Sequence, residues 1–394
     1  MAARPAGGDA LSVRILERVA EVPAAAWNAL VGDGSPFLEW EWLATLEDAG
    51  SVRPETGWLP QHLTLWRGER LVGACPLYVK GHSMGEFVFD QGWAAAAERA
   101  GMAYYPKLLV AVPFTPVAGA RLLTAPGEAA VVTPALAEAL ERVCVEQRLS
   151  SVHVNFCLAE EAEGLAARGW LRRTGWQYHW MNDGYATFDD YLAALRSKRR
   201  NQTRRERREL AAQGVTLETF TGEAITPDLV PTMHALYRAT IDDNPWGRPY
   251  LTERFFSLIV ERFRARLCFI LARQGGEVVA GTFNVEKGDA LYGRYWGAFR
   301  MLRHLHFNVC YYAAVEHCVA HGLARFEPGA GGEFKHMRGF DARETWSMHF
   351  VRDPRLRTAI ADFLAREGAA VQEEIAWFDG RTALKRNRPR PPSG

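Results

Sequence analysis

Arg325-Phe-Glu-Pro-Gly-Ala-Gly-Gly-Glu-Phe-Lys-His-Met-Arg-Gly-Phe340 is the stretch around which the chain reads. A short apolar strand pattern ends in Glu327 and Pro328, a glycine cluster follows, and Glu333, Lys335 and Arg338 then crowd together. Gly329, Gly331 and Gly332 allow backbone angles that side chains forbid, and they let another molecule approach the main chain closely. Opposed charges directly after such a turn suit gripping a ligand or handling a proton. The alternative is an ordinary strand-to-helix loop with solvated charges.

Working outward, Phe307–His321 reads as a helix ended by Gly322, and Ala324–Phe326 as the strand entering the turn. Leu267–Ala272, Val278–Val285 and Ala290–Trp296 form a three-strand meander with glycine-bearing turns. Before it come a strand, Val215–Thr221, and two helices, Pro227–Ile241 and Leu251–Phe263. After the turn come a strand, Thr345–Val351, and a helix, Pro354–Phe378.

The first half repeats this order. Strand Ser12–Val19 and two helical patterns, from Pro23 and around Glu39–Ala49, precede strand-like runs Gln61–Trp66, Leu71–Val79 and Glu86–Phe89. Helix Pro134–Gln147 and strand Ser151–Phe156 follow. Leu63-Thr-Leu-Trp-Arg-Gly-Glu-Arg-Leu-Val-Gly-Ala also resembles the run starting at Phe269, with one insertion. The first half carries extra residues, roughly Gly92 to Glu128. Two similar mixed α/β domains are expected, residues 10–182 and 183–353, the second carrying the active site. Residues 354–394 are read as a terminal helix and loose tail.

Length favours two domains, since 394 residues exceed what one core usually holds. A net charge of +1 gives no global field for nucleic acid, so any basic site is local. The N-terminal residues lack a secretory h-region, and no apolar run is long enough to span a bilayer. Six scattered cysteines without CxxC spacing read as core residues of a reducing compartment. The expected location is cytoplasmic.

The doubled element order resembles tandem GNAT-fold proteins of the FemAB-like type, a group that includes peptidoglycan-bridge aminoacyltransferases. The resemblance runs from about Ser12 to Val351. Its most specific part is Tyr191-Leu-Ala-Ala-Leu-Arg-Ser-Lys-Arg-Arg-Asn-Gln-Thr-Arg-Arg-Glu-Arg-Arg-Glu-Leu-Ala-Ala-Gln-Gly-Val215, which looks like the family's entry to its second domain. Tyr292-Gly-Arg-Tyr-Trp-Gly, the helix from Phe307 and Glu-Pro-Gly-Ala-Gly-Gly-Glu-Phe-Lys335 match its later landmarks. A bacterial branch described only as predicted N-acyltransferases is similar more closely still. The resemblance implies transfer of an acyl or aminoacyl group from acyl-CoA or aminoacyl-tRNA to the amine of a small molecule or peptide. Members that use acetyl-CoA carry a glycine-rich loop after the meander; here Phe299–Phe307 contains no glycine. Aminoacyl-tRNA needs a basic surface, which the run containing Lys198 and Arg200 supplies.

Direct acyl transfer needs a base for the amine and a cation or N–H for the oxyanion. Glu333 is the first candidate base, followed by Glu327 and Asp90. Lys335 is the candidate oxyanion stabiliser because it matches the family's Phe-Lys position, with Arg338 assisting. Strand alternation places Tyr292, Arg294 and Trp296 on one face as a pocket wall and Tyr295 on the other. Glu206 and Glu209 within the basic run indicate a solvated helix face with internal ion pairs rather than DNA binding. His304, His306, Cys310, His317, Cys318 and His321 fit no standard ligand spacing, so no metal is expected. A catalytically silent binder of peptidoglycan precursors or peptides is the alternative to an enzyme.

Overall fold

The computed structural model describes residues 10–242, 248–332 and 334–385. The chain divides into two compact units: Met1–Thr174 with Thr345–Gly368, and Gly175–Glu344 with Ala369–Gly394. The segment 345–368, which follows the second half in sequence, is therefore counted with the first unit.

The first unit contains β1 (Leu11–Leu16), α1 (Ala24–Val31), α2 (Trp40–Asp48), β2 (Trp58–Pro60), β3 (His62–Arg67), β4 (Arg70–Cys75) and β5 (Leu77–Lys80). Next come α3 (Gln91–Arg99), β6 (Lys107–Val110), β7 (Leu123–Thr124), α4 (Ala129–Glu146), β8 (Ser151–Cys157) and α5 (Ala159–Ala167). Strands β1, β3, β4 and β7 form one antiparallel sheet in that order. Strands β2, β5, β6 and β8 belong to another, with β6 and β8 parallel. Pro76 separates β4 from β5; lacking an N–H, it ends the first ladder where the chain changes sheet. The run Leu71–Val79 is thus two strands rather than one. Glu86–Phe89 forms no strand, because Phe87 takes a left-handed φ of 58°. The third strand of the meander is β7, so the extra residues of this half lie between Cys75 and Leu123.

Strand β9 (Leu171–Met181) leads to α6 (Phe188–Ala194), α7 (Ser197–Ala211), β10 (Val215–Thr221), α8 (Leu229–Asp242), α9 (Glu253–Phe263), β11 (Leu267–Gln274), β12 (Glu277–Lys287) and β13 (Ala290–Ala298). A short α10 (Leu305–Phe307) runs through a π turn, Asn308–Tyr312, into α11 (Ala313–Ala320), then β14 (Arg325–Glu327). The second unit's strands lie in the order β10–β11–β12–β13–β14–β9, antiparallel except for β13 with β14. The last elements are β15 (Asp341–Val351) and α12 (Pro354–Gly380). Residues Trp346–Val351 of β15 pair with β8 in the first unit.

Side-chain periodicity fixes the layers. In α9, Phe255, Ile259 and Phe263 recur at four-residue spacing and are buried, while the Thr252 hydroxyl accepts from the Phe255 N–H to start the helix. Rings of Tyr237, Phe256, Phe283 and Tyr295 meet where α8 and α9 cover one sheet face. Gly297 belongs to that crossing: a Cβ there would stand 1.8 Å from the Leu236 carbonyl oxygen of α8. A second apolar layer joins Cys268, Ile270 and Leu291 of the sheet to Val309, Val315 and Cys318. No helix of the described residues is long and apolar enough to cross a membrane.

Candidate functional site

The last register pair of the parallel strands β13 and β14 is Tyr292 with Glu327. Beyond it the chain of β14 turns at Pro328, and Gly293 makes room for that turn. A Cβ at Gly293 would meet the Pro328 backbone at 3.2 and 3.3 Å. Gly329, Gly331 and Gly332 all take positive φ, 84°, 74° and 88°, which fits their residue type.

Cross-strand pairs share a sheet face. Tyr292 and Glu327 pair, and one step past the Phe326–Trp180 pair Glu327 comes beside His179 of β9. This row is buried. The Arg325 guanidinium lies 3.2 Å from Glu327 Oε1 and donates to the Tyr292 hydroxyl at 2.9 Å. Glu327 Oε2 and His179 Nε2 stand 3.7 Å apart, and neither has a hydrogen-bond partner among the described residues. Burial pulls the His179 pKa below the usual imidazole value. Glu327 opposes that shift, whereas Arg325, Arg343 and Lys335 reinforce it. Burial and the Glu327 charge raise the Tyr292 pKa.

Strict alternation does not hold along β13. The step Phe283/Asn284 on β12 pairs with Tyr295 and Gly293, leaving Arg294 as the extra residue of a β-bulge. Alternation resets there, so Tyr292 and Tyr295 share a face and Trp296 takes the other. Trp296 meets the His306 ring edge-on at 4.8 Å, and Arg294 lies over the Tyr295 ring at 5.4 Å.

Lys335 is 2% exposed, and its Nζ donates to the Gly329 carbonyl at 2.6 Å, closing the glycine turn. Burial pulls its pKa down to about 8, with Cys310 of the π turn opposing. His306 is lowered to about 4 by burial, with Lys335 and Arg338 adding to the shift. The π turn thus presents Cys310 and Tyr311 beside the lysine. A π turn inserted in a helix is frequent at functional sites.

Arg338 is engaged internally. It donates to the Tyr312 hydroxyl at 2.8 Å, the Phe334 carbonyl at 3.0 Å and Glu206 Oε2 at 2.9 Å, and it stacks over Phe307 at 3.6 Å. Glu206 is therefore not on a solvated helix face: it is buried and pins α7 to the turn. Burial opposes its charge, but hydrogen bonds from Tyr312 and Gln202, together with Arg338, hold its pKa below the ordinary carboxylate value.

Other expected residues lie apart. Asp90 is buried in the first unit, where Lys107 and the Tyr104 hydroxyl bond it. Arg200 lies beside Ser197 and the Leu195 carbonyl at the start of α7, and Lys198 is exposed there. Glu333 lies outside the described residues. In the loop after β13, Arg300 pairs with Glu277, while Arg303 and His304 pair with Glu209. Among the described residues no His, Cys, Asp or Glu group is arranged to hold a metal ion. Sequence reading missed His179 and Arg325 because each gains its meaning from a neighbour on another strand. The only available signal was an ionisable residue inside an otherwise aromatic strand, Trp176-Gln-Tyr-His-Trp180.

Among solved structures, FemX matches with a TM-score of 0.55 at 12% identity, over 86% of this chain and 98% of FemX. The structure of L-PGS from Bacillus licheniformis gives 0.50 at 8% identity, over 82% of this chain and 95% of that one. At such identities the likeness speaks for the fold alone, and it is the mixed α/β fold expected from the sequence. No curated protein matches the chain in sequence. A sequence profile described as peptidoglycan biosynthesis/recognition, that of the FemAB-like family, matches residues 18–386. That match spans the residues of both units and the glycine turn, and the chain belongs to the FemAB-like family.

Proposed function

We propose that the second unit is an N-acyltransferase that moves an acyl or aminoacyl group to an amine by direct attack, without a covalent enzyme intermediate. The observation carrying this reading is the end of the β13–β14 pairing at Tyr292–Glu327, where a buried carboxylate and a buried amine, Glu327 and Lys335, stand near a glycine turn. Attack forms the C–N bond and breaks the acyl–sulfur or acyl–oxygen bond of the donor. Glu327, one oxygen near Arg325 and the other without a hydrogen bond among the described residues, accepts the amine proton in this reading. Glu333 remains a second candidate base from its sequence position. Lys335, with a pKa of about 8, stays mostly protonated at neutral pH and supplies a cation for the developing oxyanion.

Acyl-CoA and aminoacyl-tRNA are the candidate donors. Pairing of Arg300, Arg303 and His304 with glutamates favours a donor held elsewhere, and the exposed Lys198 at the start of the basic helix α7 favours tRNA. The test is protection against thermal unfolding by a panel of acyl-CoAs and aminoacyl-tRNAs, because a ligand that binds only the folded state raises its apparent stability. Protection by one donor class is expected, and Lys335→Ala should lose turnover while keeping that protection. Protection by neither class would overturn the transferase reading in favour of a silent binder of peptidoglycan precursors.

A further inference from the structure

Two buried polar atoms of the second unit face each other. Glu327 Oε2 and His179 Nε2 are 3.7 Å apart, both shielded from solvent and both without a hydrogen-bond partner among the described residues. Buried polar groups are nearly always satisfied, so such a facing pair calls for a third atom. A nitrogen donating to both at about 2.9 Å would form a closed triangle with them. The rest of the row is already committed: Glu327 Oε1 faces Arg325, and Arg325 holds the Tyr292 hydroxyl.

We infer that His179 Nε2 and Glu327 Oε2 together seat the amino nitrogen of the acceptor, making His179 a contact of the reacting atoms. This rests on the transferase reading of the same site and adds a residue and a division of labour to it. An attacking primary amine carries two N–H bonds and a lone pair. The lone pair forms the C–N bond while the acyl–sulfur or acyl–oxygen bond breaks. One N–H proton passes to Glu327 Oε2 and on to the departing sulfur or oxygen. The other stays in the amide product, held throughout by His179 Nε2. Two different acceptors suit these two fates: the carboxylate takes a proton, and a neutral imidazole only holds one. Burial keeps His179 neutral, and its tautomer protonated on Nδ1 offers the Nε2 lone pair this role needs. A tertiary amine offers no hydrogen to this pair.

The test uses the full chain labelled with 15N-histidine, the His179 ring signal being identified by its absence in His179→Gln. n-Butylammonium is titrated to about 100 mM, the weak range expected of so small a ligand. n-Butyltrimethylammonium, equal in charge but without an N–H, is the control. A saturable shift of His179 Nε2 with the first salt only, weakened roughly tenfold in Glu327→Gln through loss of a charge-assisted bond, is expected. No saturable shift, or the same shift with both salts, overturns the inference. Donor protection is measured alongside. Donor binding without an amine response sinks the amine seat and spares the transferase reading. An amine response without donor binding does the reverse.

Discussion

Lys335 carries a charge that its surroundings oppose. Its pKa falls from 10.5 to about 8 on folding, mainly through burial. A shift of that size corresponds to about 3 kcal/mol of penalty for keeping the cation in the fold at neutral pH. The hydrogen bond to the Gly329 carbonyl returns about 1 kcal/mol of it. Lys335→Met is therefore expected to stabilise the protein by about 2 kcal/mol at pH 7 while abolishing turnover. The sign follows from proton binding. Between about 8 and 10.5 the unfolded chain binds the proton that the folded chain has lost, so wild-type stability rises with pH across that window. The advantage of Lys335→Met should shrink over the same interval, as read by urea unfolding at several pH values. A variant less stable than wild type at pH 7 would make Lys335 a brace for the turn instead.

Helix α7 shows how an element can be legible while its role is not. Its length and basic character follow from the sequence, but Glu206 looks like one more solvated acid among arginines. Burial comes from Arg338, 132 positions away, through a bond no local pattern announces. Removing one partner of a buried ion pair leaves the other uncompensated, so Glu206→Ala should cost about 3–5 kcal/mol. Replacing both, as Glu206→Met with Arg338→Met, should recover most of that loss. If the double variant stays as unstable as the single, the pair does more than brace the helix. The same limit explains the bulge at Arg294, which depends on how β12 pairs, and His179, which faces Glu327 on the neighbouring strand. Glycine placement was more informative, because close approach leaves a local mark. Gly297→Ala should lower stability by roughly 3 kcal/mol or more, since the clash is with α8 backbone rather than a movable side chain. Thermal unfolding gives the magnitude, and a loss under 1 kcal/mol (about the noise of such contacts) would mean that α8 shifts freely.

At the scale of the whole chain, sequence periodicity finds the elements but not the sheet each one joins. The repeat was legible in element order, and the second unit follows it strand by strand. In the first unit Pro76 diverts the chain into a separate sheet, and that sheet is completed by residues near the other end of the sequence. His153 of β8 and His349 of β15 are a register pair, with their Nδ1 atoms 2.6 Å apart. Ser151 and Ser347 bond the outer nitrogens at 2.8 and 2.9 Å. Both imidazoles are held well below their ordinary pKa by burial, so the fold keeps them neutral, one donating to the other. A chain ending at Glu344 would keep every residue of 10–344, yet it would strip β15 from β8. The β8 backbone would become a sheet edge, and the buried His153 would lose its partner. The expected outcome is faster amide exchange throughout Ser151–Cys157 and a lower unfolding temperature for the first unit. His349→Ala in the full chain should give a milder form of the same change, because the ladder remains. Unchanged protection of β8 in the truncated chain would show that the first unit closes its sheet without residues 345–368, and the division of the chain drawn here would fall.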